Sequence, residues 1–183
     1  MKLVNIIELP DKRLRQISKE VTWPLNEANK KLAERMIRHI DNSQTEGTKY
    51  RPGVGVAAVQ YGILKRMFYV NVPNDSDPKN PYFRDVLINP VVLEKSADLQ
   101  ALHTGEGCLS VNEKHPNQEG LIRRSRKIKV QAYSYFMNGL YDFEVEGYVA
   151  IVFQHELDHL EGKLFIDHID KKRLWNEEGV ELL

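Results

Sequence analysis

Apolar and polar residues alternate with a helical period between residues 24 and 44. Apolar side chains recur every three or four positions from Leu25 to Ile40, with charged residues between them. This spacing places the apolar residues on one face of an α-helix. Asn26 lies where an N-cap side chain can accept a backbone hydrogen bond. The pattern therefore predicts an amphipathic helix that packs one face against a core.

After this segment the pattern changes to short β-branched and aromatic runs, which are typical of strands. Residues 66–72 and 85–95 form two such runs, and the proline within the second predicts an edge position or a bend. Two alternating runs between residues 127 and 146 flank Asn138-Gly139. This dipeptide predicts a hairpin with a two-residue turn, because both turn positions need a positive φ.

The segment from Tyr148 to Gly162 is apolar on nearly all sides, which is typical of a buried helix. Gly162 occupies the position at which a left-handed glycine commonly ends a helix. Strands precede this helix, and no repeat or linker divides the chain. We therefore predict an α+β fold, with antiparallel β-sheets packed around a central buried helix, as a single domain over residues 1–183.

The same helix contains the motif His-Glu-x-x-His. His155 and His159 are one helical turn apart on the same face, so both imidazoles can bind one metal ion. The carboxylates of Glu156 and Asp158 lie on the same apolar helix. Burying these groups is unfavourable unless hydrogen bonds or a metal ion satisfy them. The motif therefore predicts a metal site whose third protein ligand lies elsewhere in the chain.

Spacing alone leaves two alternatives for the third ligand. Thermolysin-like peptidases use a glutamate downstream of the second histidine, and Glu177 and Glu178 lie at a comparable distance. Their polar surroundings favour a solvated, frayed chain end. Cys108 lies beside Gly107 in a glycine-rich segment, and a thiolate is a strong ligand for zinc or ferrous iron. A lone cysteine is also commonly a small buried apolar residue.

Composition narrows the cellular setting. The chain of 183 residues has 26 Lys+Arg and 26 Asp+Glu, so its formal net charge of zero favours neither a nucleic-acid surface nor a membrane surface. Its single cysteine can form no internal disulfide, which fits a reducing compartment. The N-terminus lacks the pattern of a secretion signal, and no apolar run approaches a membrane span. We therefore predict a cytoplasmic protein that binds no membrane and makes no sequence-specific contact with nucleic acid.

A glycine-rich segment at residues 53–58 raises a rival interpretation. It matches a short form of the dinucleotide-binding loop, and Asp75 follows Gly55 at the spacing of a ribose-binding acid. The preceding residues do not resemble a strand, and Gly62 follows too early for a confident helix. Without a strand–turn–helix context, this signal is weak.

Three motifs together resemble those of the peptide deformylase family. They are GVGVAAVQ at residues 53–60, EGCLS at 106–110 and QHELDHLEG at 154–162. Their order and every defining position match the family patterns G-x-G-x-A-A-x-Q, E-G-C-x-S and Q-H-E-x-D-H. The rest of the chain resembles the bacterial type 2 subgroup. Val59 departs from the family pattern, because many members have proline at this position. The position is not catalytic in the family, so the change affects the expected rigidity of the loop rather than the chemistry.

The resemblance implies a metalloenzyme that removes the formyl group from the N-terminal methionine of new polypeptides. It implies one divalent metal ion per chain, natively Fe²⁺, although Zn²⁺, Ni²⁺ and Co²⁺ suit the same ligands. N-formyl-methionyl nascent polypeptides are the implied partners, and a transient contact with the ribosome stays open. The alternatives are a zinc endopeptidase with a C-terminal glutamate ligand and a non-catalytic binding protein on the same scaffold.

The resemblance also assigns roles to individual positions. The implied metal ligands are Cys108, His155 and His159. The implied catalytic groups are the carboxylate of Glu156 as general base, and the side-chain amide of Gln60 and the backbone N–H of Leu109 as oxyanion donors. The implied substrate contacts are the cleft glycines and the walls of the methionine pocket, namely Gly55, Gly107, Val54 and Ile151.

Overall fold

The computed structural model of the protein describes residues 5–183. Its two α-helices are α1 (Glu27–Ser43) and α2 (Gly147–Leu160). Its strands are β1 (Gly55–Ala57), β2 (Met67–Val72), β3 (Phe83–Lys95), β4 (Leu99–Ala101), β5 (Arg124–Ser125), β6 (Lys127–Ser134), β7 (Gly139–Glu146) and β8 (Val180–Leu182). The predicted α+β class is confirmed.

Five strands form an antiparallel sheet in the order β1-β2-β3-β6-β7. The strands predicted at residues 66–72 and 85–95 are β2 and β3. The register of β3 against β6 shifts between Ile88 and Val91, where Asn89 has a φ of 51° and Pro90 follows. The predicted bend is therefore present, but β3 lies inside the sheet rather than at its edge.

The hairpin of β6 and β7 was predicted with a two-residue turn, and this detail is wrong. Ser134 pairs with Gly139, so four residues connect the strands, and Asn138 alone among these four has a positive φ, of 53°. Side chains favour the wider turn. Asp85 on β3 accepts a hydrogen bond from Phe136 N at 3.1 Å, and Ser134 Oγ accepts one from Met137 N at 2.9 Å.

A second sheet has the order β5-β4-β8. Here β4 and β8 are parallel, with Leu99 opposite Val180, so the prediction of antiparallel sheets throughout needs correction. The frayed chain end predicted for the last residues is also wrong, because β8 pairs with β4. Neither strand is long enough to show an alternating pattern in the sequence.

Helix α1 has the predicted amphipathic character. The side chain of Asn26 caps it by accepting a hydrogen bond from Asn29 N at 2.9 Å. Its buried face, which includes Leu32, Met36 and Ile40, packs on β1 and β2.

Helix α2 contacts strands of both sheets: β1, β2, β6 and β7 of the first and β5 of the second. Most of its residues are buried, including Glu156 and His159. Gly162 follows the helix with a φ of 68°, as predicted. Within residues 5–183, neither helix combines the length and apolar character needed to cross a bilayer. The packing of α2 buries Glu156 and His159 of the motif and leaves His155 partly buried.

Candidate active site

Helix α2 and the loop that follows β4 bring together three side chains that could hold a metal ion. One ligand atom from each of Cys108, His155 and His159 lies within 4.8 Å of the other two. The Sγ atom of Cys108 is 3.3 Å from Nε2 of His159. Glu177 and Glu178, the alternative source of a third ligand, are exposed to solvent and lie outside this cluster.

The donors and their surroundings fit a divalent transition metal. A thiolate with two imidazoles is a ligand set that suits zinc and ferrous iron. Burial opposes ionisation of Cys108, but the neighbouring His159 and His155 rings lower the pKa of its thiol to about 5. The Ser110 N–H, 3.4 Å from Sγ, also stabilises the thiolate. A metal ion binds this deprotonated form.

A buried ion pair fixes the orientation of His155. Glu106 Oε2 lies 2.9 Å from Nδ1 of His155, which leaves Nε2 of that ring for a metal. Arg124 donates two hydrogen bonds to the same carboxylate, at 2.8 and 2.9 Å. Burial opposes ionisation of Glu106, but His155 and Arg124 lower its pKa to about 2. The sequence did not indicate that Glu106 and Arg124 orient His155, although Glu106 belongs to the EGCLS motif.

The ion pair extends to a second carboxylate on α2. Arg124 also donates to Oδ2 of Asp158, which lies 2.8 Å from Nε2 of His168. No spacing pattern in the sequence had indicated a partner for His168. The chain of contacts ties the segment after α2 to the second coordination shell of the predicted metal site.

Glu156 lies next to these three candidate ligands in a buried position. Its side chain is buried, with 3% of the residue exposed, and burial raises its pKa to about 7. The Oε2 atom has no hydrogen-bond partner among the described residues. A Cβ atom at Gly55 would lie 2.5 Å from Oε1 of Glu156. Gly55 therefore makes room for this carboxylate, a role that the sequence did not indicate.

The side-chain amide of Gln60 is held in one orientation. Its Oε1 atom accepts a hydrogen bond from Ala57 N at 2.8 Å, so its NH₂ group points the other way. This group lies 3.1 Å from Ser110 Oγ and 3.7 Å from Cys108 Sγ. The backbone N–H of Leu109 has no acceptor within the part of the chain that the structure describes. Both groups can thus donate to an atom bound beside Cys108.

A cleft of about 420 Å³ lies over these groups. The predicted substrate contacts Val54, Gly55, Gly107 and Ile151 all line it. A Cβ atom at Gly107 would meet no atom within 4 Å, so this glycine leaves open space in the cleft. Sequence reasoning missed several further lining residues, which are Arg51, Pro73, Leu102, Tyr148 and Val152.

The glycine-rich segment before Gln60 does not form a dinucleotide-binding loop. Strand β1 is followed by a 3₁₀ turn at Ala58–Tyr61, and Gly62 ends this turn with a φ of 75°. No α-helix begins there, so the segment lacks the helix N-terminus that would bind a pyrophosphate. The segment instead carries Gly55 and Gln60 into the cleft.

Residues 3–175 match the model of the polypeptide deformylase family. The chain belongs to this family. As a polypeptide deformylase it is a hydrolase that removes the N-formyl group from newly synthesised polypeptides. The alternative of a non-catalytic binding protein is thereby set aside.

Individual deformylases are similar to this chain over nearly its whole length. The peptide deformylase of Mycoplasmopsis pulmonis is 59% identical over 192 residues, which cover 98% of this chain and 97% of that protein. The crystal structure of the Ehrlichia chaffeensis enzyme has a TM-score of 0.76 and 30% identity, covering 94% and 90% of the two chains. A Met-Ala-Ser-bound class I type b enzyme of Acinetobacter baumannii has a TM-score of 0.74 and 27% identity, covering 92% and 99%.

Proposed function

We propose that Cys108, His155 and His159 hold one divalent metal ion and that deformylation takes place in the cleft beside them. The observation that carries this proposal is the largely buried cluster of three possible ligand atoms within 4.8 Å, next to a carboxylate oxygen without a partner among the described residues. When bound, such an ion polarises a carbonyl group and lowers the pKa of water towards neutrality. Groups of the protein around the ion carry out proton transfer and stabilise the oxyanion.

Glu156 acts as the general base in this proposal. Its Oε2 atom is free to accept a proton from the attacking water and to deliver that proton later to the departing methionine amine. Glu156 also lines the cleft, so its carboxylate is accessible to water and substrate bound there. Gly55 supports this role, because any larger residue there would displace the carboxylate.

Gln60 and Leu109 stabilise the oxyanion that develops on the formyl group. The Ala57 N–H fixes the amide of Gln60 before substrate binds, so its NH₂ group needs no reorientation during the reaction. The Leu109 N–H is the second donor. Fixed donors of this kind stabilise charge that exists only in the transition state, and losing one typically lowers the rate about 10²- to 10³-fold.

The substrate is an N-formyl-methionyl peptide in an extended conformation. Val54 and Ile151 form walls of a pocket for the unbranched methionine side chain, whose burial contributes roughly 1.5–3 kcal/mol. Strand β1 lies at the edge of its sheet, so a peptide that passes Gly107 can pair with backbone groups there. The similar Acinetobacter baumannii enzyme is bound to Met-Ala-Ser in its crystal structure. This supports a peptide that begins with methionine as the substrate.

The remaining assignments complete the proposal. Fe²⁺ is the native ion, because the deformylase motifs imply it and the thiolate of Cys108 suits it. The protein acts in the cytoplasm as one catalytic domain on nascent chains, with transient access to the ribosome. Its lone cysteine is consistent with a reducing compartment.

The experiment compares formyl-Met-Ala-Ser with acetyl-Met-Ala-Ser, using protein purified without oxygen and assayed for bound metal. The acetyl group adds a methyl where Gln60, the Leu109 N–H and Glu156 converge, and displacing the carbonyl by about 1 Å can lower the rate about 10²-fold. We expect release of formate to exceed release of acetate by at least about this factor. Comparable rates would contradict the formyl-selective site. Cleavage of an internal peptide bond, with the formyl group retained, would favour an endopeptidase.

A further inference from the structure

The last residues of the chain run along the outside of the cleft. We call residues 102–107 the wall, because this segment connects β4 to Cys108 and contributes Leu102, Glu106 and Gly107 to the cleft lining. We call residues 174–183 the strap. The strap lies in the polar chain end for which the sequence had indicated no structure.

The strap holds the wall where the wall leaves β4. The N–H of Leu183 donates to the carbonyl of Ala101 at 2.9 Å, and the N–H of His103 donates to the carbonyl of Leu183 at 3.0 Å. The Nδ1 atom of His103 lies 2.7 Å from the same carbonyl oxygen. Together with the parallel pairing of β4 and β8, these contacts fix the path of the chain on either side of Leu102.

The strap also supports the middle of the wall. A Cβ atom placed at Gly105 would lie 3.8 Å from the Trp175 ring and 2.9 Å from the carbonyl oxygen of Gly120. The carbonyl of Leu174 accepts a hydrogen bond from Leu121 N at 2.7 Å. Trp175 therefore lies against the turn that carries the chain from Leu102 to Glu106.

The large apolar residues of the strap are only partly buried. Leu174, Trp175, Leu182 and Leu183 remain 40%, 48%, 37% and 39% exposed. None of them belongs to either hydrophobic cluster of the described residues. The strap thus contributes little to the core, and its contacts are concentrated on the wall and on its neighbours.

We propose that the strap is a positioning element for substrate binding, which keeps Leu102 and the turn at Gly105 in the arrangement that receives the substrate. The inference rests on the proposed function, since it assigns the strap a role at the same cleft. The proposed metal ligands have separate support: His155 and His159 lie on α2, Cys108 packs in a hydrophobic cluster, and Glu106 at the end of the wall is held by Arg124. If loss of the strap leaves the wall correctly placed only about one-tenth of the time, the apparent affinity for substrate falls about ten-fold.

The principal variant ends after Gly179 and therefore lacks β8 and Leu183. In nickel-loaded protein we expect KM for formyl-Met-Ala-Ser to rise about ten-fold, with kcat and bound metal nearly unchanged. Hydrogen exchange at the amide of His103 should become faster, because its acceptor is gone. The matched control is Glu181→Gln, which removes the ion pair with Arg126 at 2.9 Å but keeps the backbone pairing, and its KM should equal that of the unaltered chain.

A second variant, Trp175→Ala, tests the other end of the strap without shortening the chain. Trp175→Ala should also raise KM. If the shortened chain does not fold, this variant tests whether the strap positions the wall. An unchanged KM in both variants would overturn the proposal, and so would a fall in kcat accompanied by loss of metal. Calorimetric binding of Met-Ala-Ser reports cleft affinity independently of catalysis. Failure of the unaltered chain to release formate would count against the proposed function, and the calorimetric comparison would still test the strap.

Discussion

At the scale of single residues, Glu156 combines burial with an unsatisfied oxygen atom. Substitution by Gln preserves its shape but removes the ability to accept a proton. We expect Glu156→Gln to retain the metal and to lower kcat on the order of 10²-fold or more, the scale of general-base catalysis. The measurements are kcat for formyl-Met-Ala-Ser and metal content of the same sample. Turnover at the unaltered rate in metal-loaded protein would refute the role, and loss of metal would place Glu156 among the ligands.

Cys108 supplies the third ligand in the proposed site, so its removal should leave only the two histidines. We expect Cys108→Ala to lose tight metal binding while it keeps most of the fold, because the side chain it loses is small. The matched control replaces Glu177 and Glu178 by Gln, and this double variant should keep its metal. Metal analysis after dialysis distinguishes the two. Full occupancy in Cys108→Ala with loss in the double variant would restore the C-terminal glutamates as ligands.

At the scale of elements, the sequence predicted best what depends on local pattern. The α1 helix with its Asn26 cap and the glycine after α2 follow from residues within one or two turns of each other. The four-residue turn between β6 and β7 depends on Asp85 from β3, which is distant in sequence. The pairing of β4 with β8 joins two three-residue strands, whose short runs carry no periodicity.

The same distinction applies to the candidate site. His155 and His159 are linked by helical spacing, and the deformylase motifs added Cys108, Gln60 and Leu109. The partners that orient these groups were not predicted, because contacts such as Glu106 with His155 arise only when separate elements meet. Ser110 was present in a motif, but only the structure shows it beside the amide of Gln60.

Gly162 gives a test of how α2 is joined to the N-terminal part of the chain. Its φ of 68° is unfavourable for other residues, and a Cβ atom there would lie 2.6 Å from the carbonyl oxygen of Arg15. Gly47 has a φ of 70° but has no atom within 4 Å of the same position. A left-handed alanine costs about 1–2 kcal/mol in either place. We expect Gly162→Ala to lower the free energy of unfolding by clearly more than Gly47→Ala in urea titrations, and equal losses would contradict a close backbone contact.

At the scale of the whole molecule, the cleft lies where segments distant in sequence converge. The 3₁₀ turn after β1 supplies Gln60, the loop after β4 supplies Cys108, and α2 supplies both histidines and Glu156. Helix α1 contributes no group to the metal site, but it packs behind the turn that carries Gln60. Its His39 ring lies 2.9 Å from the hydroxyl of Tyr61, the next residue along. This contact joins α1 to the turn that carries Gln60.

His39 should make the stability of the protein depend on pH. Burial, assisted by the positive charge of Arg35, lowers the pKa of His39 from 6.5 to about 4, and the other groups facing the ring are Tyr50 and Tyr61. Below about pH 6.5 the unfolded chain takes up a proton that the folded chain does not. The free energy of unfolding should thus decrease as pH falls from about 6.5 towards about 4, by up to about 1.4 kcal/mol per pH unit.

The comparison of the unaltered chain with His39→Gln isolates this contribution, because glutamine retains a hydrogen-bonding group near Tyr61 but does not titrate. Both proteins share every other acid-sensitive group, including the proposed metal ligands, so effects of metal release cancel in the difference between them. Urea titrations at several values between about pH 7.5 and about pH 5 should show the unaltered chain losing stability faster than the variant as pH falls. If the difference in free energy of unfolding between the two proteins stays constant over this range, then the packing of α1 against the turn that carries Gln60 does not hold His39 neutral.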